Sequence, residues 1–167
     1  RVHPAMRRYF EAVLALSGGR LDEARAILRE MSRPGAGGDP VARAGLWCAA
    51  GEPDEARRIL ATESSRVWIG RHLVGMARSA PATPLAVHVF VTASAHIALA
   101  LKCEDPVRAG EIWARARRVC AESGLPHLID FFAPLWNVPA PTSSRASPPS
   151  GSKWGDAGRA RRGRGRA

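Results

Sequence analysis

The sequence predicts an all-α chain, six or seven helices paired as hairpins and stacked into a solenoid, followed by a tail with no core of its own. Three observations carry this. The helix formers Ala, Leu, Arg and Glu dominate residues 1–137. Residues 14–28 (LALSGGRLDEARAIL) and 46–60 (LWCAAGEPDEARRIL) agree at eight of fifteen positions at an offset of 32, with a glycine and a D-E-A-R block in register. Gly and Pro punctuate the chain at intervals that suit short helices.

The first helix is predicted from about Met6 to Leu16, with Tyr9, Phe10, Val13, Leu14 and Leu16 apolar. Gly18 and Gly19 stop it, because glycine adopts the left-handed conformation of a helix end without strain. Asp22 and Glu23 fall in the first turn of the next helix, where acidic groups meet its positive end. Ala24, Ile27, Leu28 and Met31 form its apolar stripe. Pro34, Gly35, Gly37 and Gly38 break the chain. Pro40 starts a helix over 41–50 that Gly51 ends, and Pro53 opens the next, with Ala56, Ile59 and Leu60 as its stripe.

One more helix is predicted over 66–78. Leu85, Val87, Val89 and Val91 alternate as a strand would, but the length of the run and the helix-favouring remainder, Ala93 to Leu101, favour a helix over 85–102. A weaker third copy follows. At an offset of 53, Pro53/Pro106, Ala56/Ala109 and Ile59/Ile112 coincide, and Trp113 replaces Leu60. Leu125 to Trp136 is a short apolar segment suited to capping the stack. Residues 138–167 are rich in Pro, Ser, Gly and Arg, and predict a disordered basic tail beyond a helical domain over 1–137.

The net charge of +10 is uneven. The tail holds seven Lys/Arg against one acidic residue, and the body eighteen against fourteen. Charge alone therefore does not make the body a nucleic-acid binder. Three cysteines, Cys48, Cys103 and Cys120, without C-x-x-C spacing or a leader pattern, fit a reducing, cytoplasmic setting, with Cys48 in a core slot. The charge-free run Leu85–Leu101 has 17 residues, short of the roughly 20 of a membrane span, and reads as a buried helix. The chain opens on Arg1 almost directly into helix, as a piece of a longer protein would.

No motif of catalysis or cofactor binding is recognisable. His88 and His96 are eight apart, about 80° around a helix, with no carboxylate at i+4, and His3, His72 and His127 are scattered. No Cys–His pairing, G-x-S-x-G or P-loop is present, and Gly35 to Gly38 (GAGG) follows no strand. Asp22/Glu23 and Asp54/Glu55 recur at equivalent positions, which suits helix starts better than catalysis. No catalytic residue, metal or cofactor is expected.

The block G-x-x-D-E-A, at Gly19–Ala24 and Gly51–Ala56, resembles the hairpin turn of tetratricopeptide repeats. By that resemblance Ala12 and Ala44 take the small position of the first helix, and Leu28 and Leu60 the bulky position of the second. The repeat length is 32 rather than 34, and Arg8 stands where that family places an aromatic residue. In style the chain is similar to the C-terminal repeat regions of actinobacterial LuxR-type and antibiotic-regulatory transcription regulators. The resemblance implies a right-handed solenoid whose first helices build a concave face. Arg7, Arg8, Glu11, Arg43 and Trp47 are the expected contacts there for a protein or peptide partner, in a non-catalytic interaction or signal-receiving module. The alternative is non-specific nucleic-acid binding through Arg159, Arg161, Arg162, Arg164 and Arg166.

Overall fold

The computed structural model describes residues 3–33, 35–78 and 81–138. The tail and its five arginines lie outside the described residues. Those residues form nine helices and no strand: α1 Pro4–Ser17, α2 Leu21–Met31, α3 Pro40–Ala49, α4 Pro53–Leu60, α5 Glu63–Arg78, α6 Pro84–Leu101, α7 Pro106–Glu122 and the short α8 His127–Asp130 and α9 Ala133–Asn137. Two short helices in the capping segment account for the excess over six or seven.

Proline begins five of these helices, where its missing N–H leaves nothing unpaired. Side chains cap several of the same starts. Asp39 Oδ1 accepts from Val41 N at 2.8 Å, Thr83 Oγ1 from Ala86 N at 3.2 Å, and Asp105 Oδ1 from Arg108 N at 3.0 Å. Thr62 begins α5 three residues ahead of the predicted start, its Oγ1 accepting from Ser65 N at 3.4 Å.

The two repeated turns close alike. Gly19 (φ 71°) and Gly51 (φ 79°) are left-handed. Arg20 N donates to Ala15 O at 2.9 Å, and Glu52 N to Trp47 O at 3.0 Å. Their second helices bury equivalent side chains, Ala24 and Leu28 in α2, Ala56 and Leu60 in α4. In α7, Ala109, Ile112 and Trp113 are buried in the same register. The alternation at the start of α6 resolves as a helix: Val87 and Val91, one turn apart, are buried, while Leu85 and Val89 are exposed.

α1/α2, α3/α4 and α6/α7 pack as hairpins. α5 leaves that order and lies against α3, α4 and α6. α3 is the central helix. Every residue from Val41 to Ala50 is buried except Arg43. It packs on α6 through Gly45, where an added Cβ would stand 3.0 Å from Leu99 Cβ and 3.3 Å from His96 O. α6 is long and apolar enough by composition to cross a membrane, yet 56% of it is buried inside the protein, between α3 and α7. The capping segment turns back: α8 packs on α6 and α7, and α9 on α1 and α3. Stacked Trp113 and Trp136 (4.7 Å) anchor it, with Lys102 Nζ over Trp136 and donating to Trp136 O and to Val138 O.

Cys48 is in the core, as expected, but it is paired. A disulfide joins it to Cys103 across 55 residues, leaving Cys120 buried and free. The spacing concealed this, because only the packing of α3 on α6 brings the two ends together.

Three variants test this packing. Gly45→Val should lower unfolding free energy by about 1–3 kcal/mol through overpacking against α6. Gly110→Ala, with nothing within 4 Å of its new Cβ, should raise it by up to about 1 kcal/mol through helix propensity. Urea melts of both variants check the pair. Cys103→Ser should cost about 2–4 kcal/mol by freeing the unfolded chain, and the difference from wild type should vanish in dithiothreitol.

Candidate functional site

The first helices of the three hairpins, α1, α3 and α6, face a common space. α8 and the residues after it wall one side of that space and leave a cavity of about 640 Å³, within the range of small-molecule sites. It opens to solvent beside Met6, Phe10 and Phe131, which are 51%, 43% and 40% exposed. Its wall is mostly apolar and aromatic, with Met6, Phe10, Leu128, Phe131 and Phe132 among its lining side chains. A chain of edge-to-face rings holds the closure in place. Phe10 meets Phe131 at 5.9 Å, Phe131 meets Phe132 at 5.0 Å, and Phe132 meets His96 at 5.3 Å.

The polar groups of the wall are few and converge on one side. Tyr9 Oη lies 2.7 Å from His96 Nε2, and His96 Nδ1 lies 3.9 Å from Asp39 Oδ2. Burial holds His96 neutral, lowering its pKa from 6.5 to about 4 against a smaller opposing pull from Asp39. Burial, assisted by Asp39, pushes the Tyr9 hydroxyl far above its usual range. With imidazole neutral, Tyr9 Oη and His96 Nε2 share one hydrogen bond whose direction follows the histidine tautomer. The Asp39 distance is too long for a hydrogen bond, so these three groups do not form a proton relay. A protonated tyrosine beside a neutral histidine can orient a ligand. It is poorly suited to attack one.

Arg43, on α3, is the one Lys or Arg among the lining residues. Its Nη1 donates to Met31 O at 2.6 Å, while its Nε is buried without a hydrogen-bond partner among the described residues.

Of the contacts expected for a protein partner, the structure brings only Arg43 to this cavity. Arg7, Arg8 and Glu11 sit on another face of α1, tied to one another. Arg7 Nε lies 2.9 Å and Arg8 Nη1 3.0 Å from Glu11, and Arg8 Nη2 lies 3.1 Å from Glu30 on α2. The hydrogen bond from Arg7, followed by that from Arg8, lowers the Glu11 pKa. Trp47, expected on an exposed face, is only 4% exposed, because α3 is enclosed on nearly every side. Its Nε1 donates to Ser32 Oγ at 3.4 Å.

Sequence reasoning missed Tyr9, His96, Asp39, Phe131 and Phe132 as a group. One signal was present. In a chain with only 6% aromatic residues, adjacent aromatic pairs occur near both ends of the helical body, Tyr9–Phe10 and Phe131–Phe132. Among the described residues, no group of three or more His, Cys, Asp or Glu is placed to hold a metal ion.

Compared with known protein families, with curated proteins and with solved structures, the chain matches none.

The buried histidine makes stability depend on pH in a defined direction. Between pH 6.5 and about 4 the unfolded imidazole is protonated and the folded one is not. The unfolded chain then binds more protons, so stability falls as pH drops through this window and is unaffected by this group above it. His72, half-buried, has its pKa lowered by burial too and acts in the same direction. Thermal melts at pH 7.5 and 5.0 should show a smaller acid loss for His96→Gln than for wild type. Equal losses would show that His96 does not carry the effect.

Proposed function

We propose that the chain is a non-catalytic, signal-receiving module, a tetratricopeptide-like solenoid of helical hairpins whose concave side is narrowed into an open binding cavity for a small, mainly apolar molecule. The cavity is the observation that carries this reading. A solenoid that binds extended peptides presents its first helices to solvent. Here α8 packs on α6, and Phe131 and Phe132 reach towards α1 and His96, leaving a partly enclosed space suited to a compact ligand. Because the wall draws on three hairpins and the closing segment, an occupant touches elements distant in sequence. Its binding therefore bears on how they pack.

Such a module would act by reporting occupancy to a protein partner or an attached domain. The resemblance in style to repeat regions of bacterial transcription regulators supports the view that it is the C-terminal part of one. The charge of residues 138–167, seven basic against one acidic, favours a second activity, non-specific contact with nucleic-acid phosphates, which should weaken steeply with salt.

A neutral apolar fluorophore tests the cavity. N-phenyl-1-naphthylamine should bind at one site per chain with enhanced fluorescence. Thr92→Trp, which places an indole in the cavity from the α6 wall, should abolish binding while retaining the helical circular dichroism and cooperative melt of wild type. Equal binding to the two proteins would place the fluorophore elsewhere and remove the basis for this reading.

A further inference from the structure

Resting on that cavity, we propose a class for its ligand: an apolar monocarboxylic acid, its hydrocarbon or aryl body against Phe10, Phe131 and Phe132 and its carboxylate on Arg43.

The argument begins with an imbalance. A guanidinium in an apolar wall is costly unless its charge and its N–H groups are matched. No carboxylate among the described residues forms an ion pair with Arg43. Only its Nη1 has a hydrogen-bond partner, the Met31 carbonyl, and the buried Nε has none among the described residues. Asp39 is the lone carboxylate in the wall, and it is engaged elsewhere. Its Oδ1 caps α3 through Val41 N, and its Oδ2 faces His96. The wall therefore holds a guanidinium and a carboxylate that form no ion pair with each other, and the guanidinium keeps an unpartnered N–H.

The remaining groups narrow the class. A single arginine matches one carboxylate, whose two oxygens suit the guanidinium fork. A phosphate dianion would want further cations, and Lys is absent from the wall. An amine would have only Asp39, one of whose oxygens already caps α3 through Val41 N, whereas Arg43 has no ion-pair partner among the described residues. A wholly apolar ligand would leave Arg43 as unmatched as before. His3, His88 and His127 also line the wall, and none of them carries a negative charge that would oppose an anion. The aromatic lining and the volume of about 640 Å³ suit a body larger than acetate, such as a medium alkyl chain or a bicyclic ring.

The test is displacement of N-phenyl-1-naphthylamine from the full chain at pH 7.5 by three probes of one length: decanoate below its micellar concentration, decanamide and decyltrimethylammonium. Decanoate should displace at a concentration at least about tenfold below the amide, as a charge-assisted hydrogen bond predicts, and the ammonium should be weakest. Arg43→Met should retain the dye and bring acid and amide together. Should that variant fail to fold, Arg43→Lys, which keeps the charge but loses the fork, should reduce the preference for the acid. The wild-type acid-to-amide ratio decides independently of either variant. An amide as potent as the acid on wild type would overturn the acid class and leave the cavity standing. Failure of the dye and all three probes to bind would overturn the cavity itself.

Discussion

The approach of α3 to α6 at Gly45 is the constraint on which the rest of the structure depends. A Cβ at this position would stand 3.0 Å from Leu99 Cβ, 3.3 Å from His96 O and 3.4 Å from Ala100 N, tighter than packed side chains usually approach, so glycine lets the two helices stand at this distance. The small residues beside it, Ala44 and Ala49 on α3 and Ala95 and Ala100 on α6, are buried as well. The two helices run in the same direction, so their C-terminal ends meet at Cys48 and Cys103. Towards the other end they hold Asp39 and Arg43 opposite His96 and Thr92. A disulfide at one end and a cavity at the other are thus consequences of one close contact. A wider crossing would separate both.

The recurring arginine of the D-E-A-R block performs the corresponding task between hairpins. Arg25 Nη2 donates to Ala50 O at 2.9 Å, beyond the last residue of α3. Arg57, its equivalent 32 residues later, donates to Cys103 O at 3.5 Å, beyond the end of α6. Ala50 and Cys103 are themselves equivalent at the offset of 53 that aligns Pro53 with Pro106. Each arginine therefore reaches from the second helix of one hairpin to the end of the first helix of the next, satisfying a carbonyl that a helix terminus would leave unpaired. The third copy carries Gly110 at that position, and no further hairpin follows it among the described residues. Asp22 and Asp54 steady the two arginines from one turn earlier, at 3.4 and 2.6 Å. The block that identifies the repeat in the sequence is also the joint that connects its copies.

This joint explains how much was legible beforehand. Local rules located the helices well. Prolines mark five starts, left-handed glycines mark two of the hairpin turns, and the stripes Ala24/Leu28 and Ala56/Leu60 turn inward as their spacing requires. Relations across long separations were hidden. Nothing in the sequence distinguishes Gly45, at a packed crossing, from Gly110, in open space. Trp47 looked like a contact residue because the enclosure of α3 by its neighbours is a tertiary fact. Tyr9 and His96 stand 87 residues apart and meet at 2.7 Å. The cavity needs α1, α3, α6 and α8 together, so no single segment carries its signature.

The cavity also departs from the rule that packs the rest of the body. Elsewhere, alanine and leucine fill the space between helices, and Ala12, Ala15, Ala44 and Ala56 are fully buried. Around the cavity, rings meet edge to face beside an open volume, and a guanidinium stands without an ion-pair partner among the described residues. Packing for stability alone would favour a smaller space and an apolar residue in place of Arg43, since a buried N–H without a partner is a cost and an unfilled cleft forfeits contacts. Both exceptions occur in the same wall, where three hairpins and the closing segment converge. Departures from local packing rules are expected where a fold serves a site rather than its own core. A ligand that fills the volume and meets the charge would remove both at once, and would bind the folded chain in preference to the unfolded one. Its occupancy would then bear on the packing of α1, α3, α6 and α8.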